Sequence, residues 1–134
     1  MALTEDRNTN RRTGDQVVDP VAAGETIYAG ALVALDASGN LVAGNTATGL
    51  TARGMAEARV DNAGGNAGDK SAPVRRGVFK WNNSSGDAID RSHIGGKAYI
   101  VDDETVSASD GGATQSEAGE IVDVESDGVW VITG

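Results

Sequence analysis

Glycine punctuates this chain more strongly than any other feature. Nineteen of the 134 residues are Gly and only two are Pro. An interior Gly costs a helix about 1 kcal/mol relative to Ala, and few stretches run more than a dozen residues without one. Long helices are therefore disfavoured, while tight turns between short extended segments are favoured. "ALVALDASGNLVAG", residues 31–44, shows the pattern: an apolar β-branched run, then Asp36-Ala37-Ser38-Gly39-Asn40, then a second apolar run. Gly or Asn at positive φ closes such a hairpin.

The apolar segments that could pair are short and β-rich. "APVRRGVFKW" (72–81) and "KAYIVDD" (97–103) read as strands, and "GVWVIT" (128–133) as a closing strand after Asp127-Gly128. "KAYIVDD" carries apolar residues on both alternating faces, which predicts a central strand. "DNAGGNAGDKS" (61–71) and "SDGGATQSEAG" (109–119) are loops by composition, and "AIDRSHIG" (88–95) is the one plausible helical turn. Several short strands at fairly even spacing predict an all-β fold, a small Gly-rich barrel or sandwich.

The chain also matches itself. Gly24-Glu25-Thr26-Ile27 aligns with Gly86-Asp87-Ala88-Ile89, and the hairpin that starts at Gly30 aligns with the one that starts at Gly96. "LTARGMAEARV" (50–60) aligns with "QSEAGEIVDVE" (115–125). An offset near half the chain predicts two related β-units, each too small to bury its apolar face alone. Residues 1–20 differ from both units: they are polar, of mixed charge and end at Pro20. They predict an extended N-terminal arm before a β-rich domain over 21–134. Arg7, Arg11, Arg12, Val17 and Val18 are the arm's candidate contacts with a neighbour.

Charge and composition narrow the function. The net charge is −9, and residues 98–134 hold nine acidic residues with no Lys or Arg. Such a surface repels phosphate, which argues against direct nucleic-acid binding and favours a partner with a basic face. No Cys is present, so disulfides and thiolate metal sites are excluded. Residues 1–12 contain no apolar leader, and no later run is long enough to span a membrane, so a soluble chain with no membrane partner is expected.

Chemistry is sparse. His93, the single histidine, lies in "RSHIGG" near Asp87 and Asp90 and reads as a capping or solvent-exposed side chain. "GGNAGDKS" (64–71) approaches a phosphate loop, but Asp69 stands where Gly is needed. Asp102-Asp103-Glu104 and the run Asp123 to Asp127 lack the spacing of a calcium loop and read as solvated turns. No catalytic residue, metal site or cofactor is expected. Phe79 and Trp130 are the candidate core aromatics, and Tyr28 and Trp81 the candidate interface aromatics.

The order of these landmarks resembles the small capsid cement, or head decoration, proteins of tailed bacteriophages. The resemblance rests on Gly24-Glu25, Gly54-Met55-Ala56, Gly68-Asp69, Gly77-Val78-Phe79, Gly86-Asp87-Ala88-Ile89, Gly96-Lys97-Ala98-Tyr99 and Gly119-Glu120-Ile121, spread over residues 21–133. The segment before Pro20 and "IDRSHIGGKAY" are longer than that pattern. The resemblance implies a non-enzymatic virion protein, made in the host cytoplasm and bound to the outer capsid surface. It would act there commonly as a homotrimer, with the major capsid protein as partner, bridging capsid subunits against DNA pressure. A tail-fibre or baseplate domain is the alternative structural reading. A β-barrel hydrolase or polysaccharide-binding module would instead need a deep pocket at His93.

Overall fold

The structure is a computed structural model and describes residues 2–12 and 14–134. Among the described residues, twelve strands and one 3₁₀ turn follow the first dozen residues. The strands are β1 (Gln16–Pro20), β2 (Thr26–Ile27), β3 (Leu32–Leu35), β4 (Leu41–Ala43), β5 (Thr51–Ala56) and β6 (Val60–Asp61). They continue with β7 (Ser71–Arg75), β8 (Gly77–Asn83), β9 (Lys97–Ile100), β10 (Thr105–Ser107), β11 (Glu117–Glu125) and β12 (Gly128–Thr133). The 3₁₀ turn, Arg91–His93, falls inside the segment expected to be helical.

The two expected β-units are present and share one topology. In the first unit the strand order is β1-β7-β5-β3-β4, every neighbouring pair being antiparallel. The second is a closed barrel in the order β8-β12-β11-β9-β10, again antiparallel throughout, with closure by parallel pairing of β10 with β8. At the matching place in the first unit, a single parallel bridge, Val21–Leu41, joins the end of β1 to β4. The strand permutation is identical. The first unit adds a β2–β6 ribbon that the second lacks.

The repeat extends to backbone detail. Gly54 in β5 and Gly119 in β11 sit at corresponding points, with φ of 141° and 148°, and each adjoins a register shift against the preceding strand. A Cβ on Gly54 would lie 2.1 Å from the Arg75 carbonyl oxygen, and one on Gly119 would lie 1.7 Å from that of Ile132. Both positions require glycine because the neighbouring strand passes directly over the Cα, which is how small barrels turn their corners.

Two apolar clusters fill the molecule. Val17, Val21, Ile27, Val33, Leu41 and Val74 lie in the interior of the first unit. Trp81, Ile100, Val106, Ile121, Val129 and Val131 lie in the second, and Leu32, Ala34 and Val42 from the first unit join them. The β3–β4 hairpin is therefore the seam: Val33 and Leu41 point into their own unit, while Leu32, Ala34 and Val42 pack on the other. The blandness of residues 31–44 follows from burial on both faces, where any polar group would need a buried partner. In β9, expected to be apolar on both faces, Tyr99 on the outer side is only half-buried. The strand buried on both faces is β3.

Three further expectations change. The boundary at residue 20 moves back, because Gln16–Pro20 pairs with β7 along its whole length, and the arm ends before β1. Residues 72–81 are not one strand but two, β7 and β8, separated by Arg76 and belonging to different units. The aromatic assignment is also altered. Trp81 is 5% exposed, inside the second barrel, with its indole N–H donating to the Thr133 hydroxyl at 3.1 Å. Trp130 lies on the outer face, donating to Glu125 and covered by Lys80. Strand parity explains the exchange: Trp81 pairs with inward-facing Val129, while Trp130 pairs with Lys80 one position along. Phe79 is partly buried and packs against Trp81, with ring centroids 5.8 Å apart.

Candidate functional site

The candidate contact residues fall into two groups. Residues 2–12 are exposed throughout and form no strand, and Arg7, Arg11 and Arg12 are exposed among them. Val17 and Val18 belong instead to β1. Val17 is 7% exposed and lines the first core, whereas Val18 on the opposite face is 68% exposed. The structure therefore keeps the three arginines together on the arm and separates the two valines from them.

One side chain ties the arm to both units. Arg76, the single residue between β7 and β8, donates from Nη1 to the Gly14 carbonyl and from Nη2 to that of Gly134, each at 3.1 Å. Its backbone N–H donates to the Asp15 carbonyl at 2.8 Å. The base of the arm is therefore held at the junction of the two units, and Arg76 Nε is buried there without a protein partner. Sequence reasoning missed this residue because Arg75 and Arg76 both read as exposed cations on one strand. The signal available was Gly77 immediately after, with φ of 159°.

A groove of about 430 Å³ opens at the same junction, lined by Leu50, Thr51, Ala52, Glu117, Ala118 and Ile132, with Gly134 at its margin. It was not legible in the sequence, since its walls come from strands about 65 residues apart. Nearby, Asp19 in β1 and Arg53 in β5 form a bidentate pair, Nε to Oδ2 at 2.7 Å and Nη2 to Oδ1 at 3.1 Å. The hydrogen bonds to Asp19 raise the Arg53 pKa.

Tyr28 is 56% exposed and carries Arg59 over its ring at 5.2 Å. It borders a shallow depression of about 340 Å³ with Asp103 and Glu104. Outside the second barrel, Val78 and Ile132 form an exposed cross-strand apolar pair, with exposed Val122 on neighbouring β11.

The groups weighed for chemistry have local partners. His93 Nδ1 accepts the Asp90 backbone N–H at 3.0 Å, while Asp90 accepts from the Ser92 N–H at 2.9 Å, a reciprocal cap on the 3₁₀ turn. Those Ser92 hydrogen bonds lower the Asp90 pKa. Asp123 pairs with Arg91, Glu125 accepts from Trp130, and Asp127 pairs with Lys80 at 2.8 Å. The acidic run at 123–127 thus engages three separate donors. Among the described residues, no group of three His, Cys, Asp or Glu is arranged to hold a metal. The "GGNAGDKS" loop is organised by buried Asn62, whose amide donates to the carbonyls of Ala22 and Asn66 at 3.0 Å each. Among the described residues, no helix is long and apolar enough to cross a membrane.

No protein-family model, curated protein or solved structure matches the chain.

Proposed function

We propose that the protein is a head decoration protein of a tailed bacteriophage, bound to the outside of the assembled shell and bridging major capsid subunits. The observation that carries this reading is the exposed, net-cationic arm, anchored by Arg76 at the junction of the two β-units. A pre-ordered body contributes shape without further entropy loss, and a short arm that orders only on the lattice recognises the joint between subunits. Its basic residues suit an acidic patch, while the two β-units, carrying the rest of a −9 chain, suit a basic one. Repetition over the shell then multiplies a modest affinity per site.

The test is co-sedimentation of purified protein with expanded, emptied heads and with unexpanded shells of the parent phage. Two versions are compared: the full chain and one lacking residues 1–12. The cut must stop there, because removing residues 1–20 also deletes β1 and exposes the first core. Saturable binding to expanded heads, weakened at least tenfold by the truncation, is the expected result. A folded full-length protein that fails to bind at any concentration refutes the reading and favours the fibre or baseplate assignment.

A further inference from the structure

The groove at the junction has open strand edges on both walls. β5 is paired along its length with β3, but β7 meets it only at Met55 and Ala56, leaving Thr51–Arg53 with no strand on that side. β11 is paired with β9 from Glu117, but β12 reaches it only at Gly119, which the Ile132 carbonyl covers, and pairs with it from Glu120 onward, leaving Glu117 and Ala118 similarly bare. Thr51 and Ala52 of the first segment and Glu117 and Ala118 of the second line the same groove, while the Arg53 carbonyl lies against Gly134. Unpaired strand edges are templates for an added strand, and small β-domains ordinarily cover or blunt them. Here the lining is small or apolar apart from Thr51 and Glu117, the latter paired with Lys97 at 3.5 Å.

We propose that this groove receives the N-terminal arm of a second copy of the chain as an added β-strand. Residues 2–12 contain neither Pro nor Gly, so every residue can donate to an edge and hold an extended conformation. Extended, they reach about 36 Å, enough to cross to a neighbouring molecule. Among the described residues, Leu3 is the most exposed large apolar side chain, at 72%. It matches the apolar wall formed by Leu50 and Ile132. Charge matches too: the arm's three arginines exceed Glu5 and Asp6 by one, so it is the cationic part of an otherwise strongly acidic molecule. In its own molecule the arm stays out of the groove. Its residues are solvent-exposed, and the one backbone hydrogen bond they show is local, Thr9 N–H to the Arg7 carbonyl at 3.1 Å. Main-chain pairing would supply affinity, and Leu3 with the arginines would set the register.

This inference takes the arm as a docking element, as the function above does, but it needs no capsid and is tested without one. The chain has no Cys, so disulfide trapping reads out cleanly. Leu3→Cys protein is mixed with Ile132→Cys protein under mild oxidation, and Leu3→Cys with Ala63→Cys serves as a control at an exposed distant loop. The expected result is a covalent dimer at least tenfold more abundant in the first mixture. Light scattering of the full chain should likewise give a multiple of 13.6 kDa that falls to one copy when residues 1–12 are removed. Equal cross-linking in both mixtures, or an intramolecular bond alone when one chain carries both Leu3→Cys and Ile132→Cys, overturns the proposal. Failure here with retained head binding refutes arm exchange and leaves the decoration reading intact.

Discussion

Replacing Gly119 by Ala places a methyl group 1.7 Å from the Ile132 carbonyl oxygen, and Gly54→Ala places one 2.1 Å from that of Arg75. Two costs add at each site. Backbone strain at φ near 140–150° amounts to about 1–3 kcal/mol for a residue with a Cβ. Relieving the contact also moves the strands apart by more than an ångström, which disrupts one or two ladder hydrogen bonds at about 1 kcal/mol each. The expected loss is about 4 kcal/mol per substitution, a large part of the stability of an ordinary domain. Gly68→Ala is the control: its φ is also positive, at 82°, but a Cβ there meets nothing within 4 Å. That change should cost only about 1 kcal/mol. In urea, with a slope of about 1.5 kcal/mol per molar, Gly54→Ala and Gly119→Ala each move the midpoint down by about 2–3 M, and Gly68→Ala by less than about 1 M. Circular dichroism and tryptophan fluorescence should move together even for Gly54→Ala. Both tryptophans lie in the second barrel, but Leu32, Ala34 and Val42 of the first are built into the same core. Midpoints no lower than the Gly68→Ala control would refute the close approach, and separated transitions would refute the shared core.

Arg53→Ala leaves the Asp19 carboxylate, only 11% exposed, without its cation and should cost about 2 kcal/mol, less than a fully buried pair because Arg53 itself is 26% exposed; a shift under about 0.5 kcal/mol in chemical denaturation would contradict this. The hydrogen bond from Lys80 lowers the Asp127 pKa below its usual 3.8, so the stability the pair contributes is fully present above pH 3.8 and fades as pH falls through the lowered value. Carbon-detected NMR titration should show that depressed midpoint returning toward 3.8 in Lys80→Met, and an unchanged midpoint would mean the pair does not hold in solution.

The short strands, the turns and the repeat were legible because they depend on local chemistry. Glycine spacing forbids long helices, and the alignment of Gly54 with Gly119 marks two units whose strands then pair in the same order. Side-chain direction was less legible. Trp81 and Trp130 both sit in apolar, β-branched runs, and only the register against each other's strand sends one indole inward and the other outward. The arm's boundary was also misplaced by composition: Val17 and Asp19 look isolated in a polar stretch, yet alternation puts both on the buried face of β1.

What the sequence determines by itself is therefore the class of fold, its duplication and the absence of the spacings that known catalytic and metal motifs need. The tertiary structure alone decides the seam and everything built at it. Hairpin 31–44 becomes the seam between the two units because β3 has a second partner to bury against. Arg76 becomes a clamp because the chain crosses between units at that residue. The groove exists because Thr51–Ala52 and Glu117–Ala118, about 65 residues apart in the chain, are brought together with their edges unpaired. Local propensity acts over a few residues, whereas the packing of the two units depends on which surfaces each leaves uncovered.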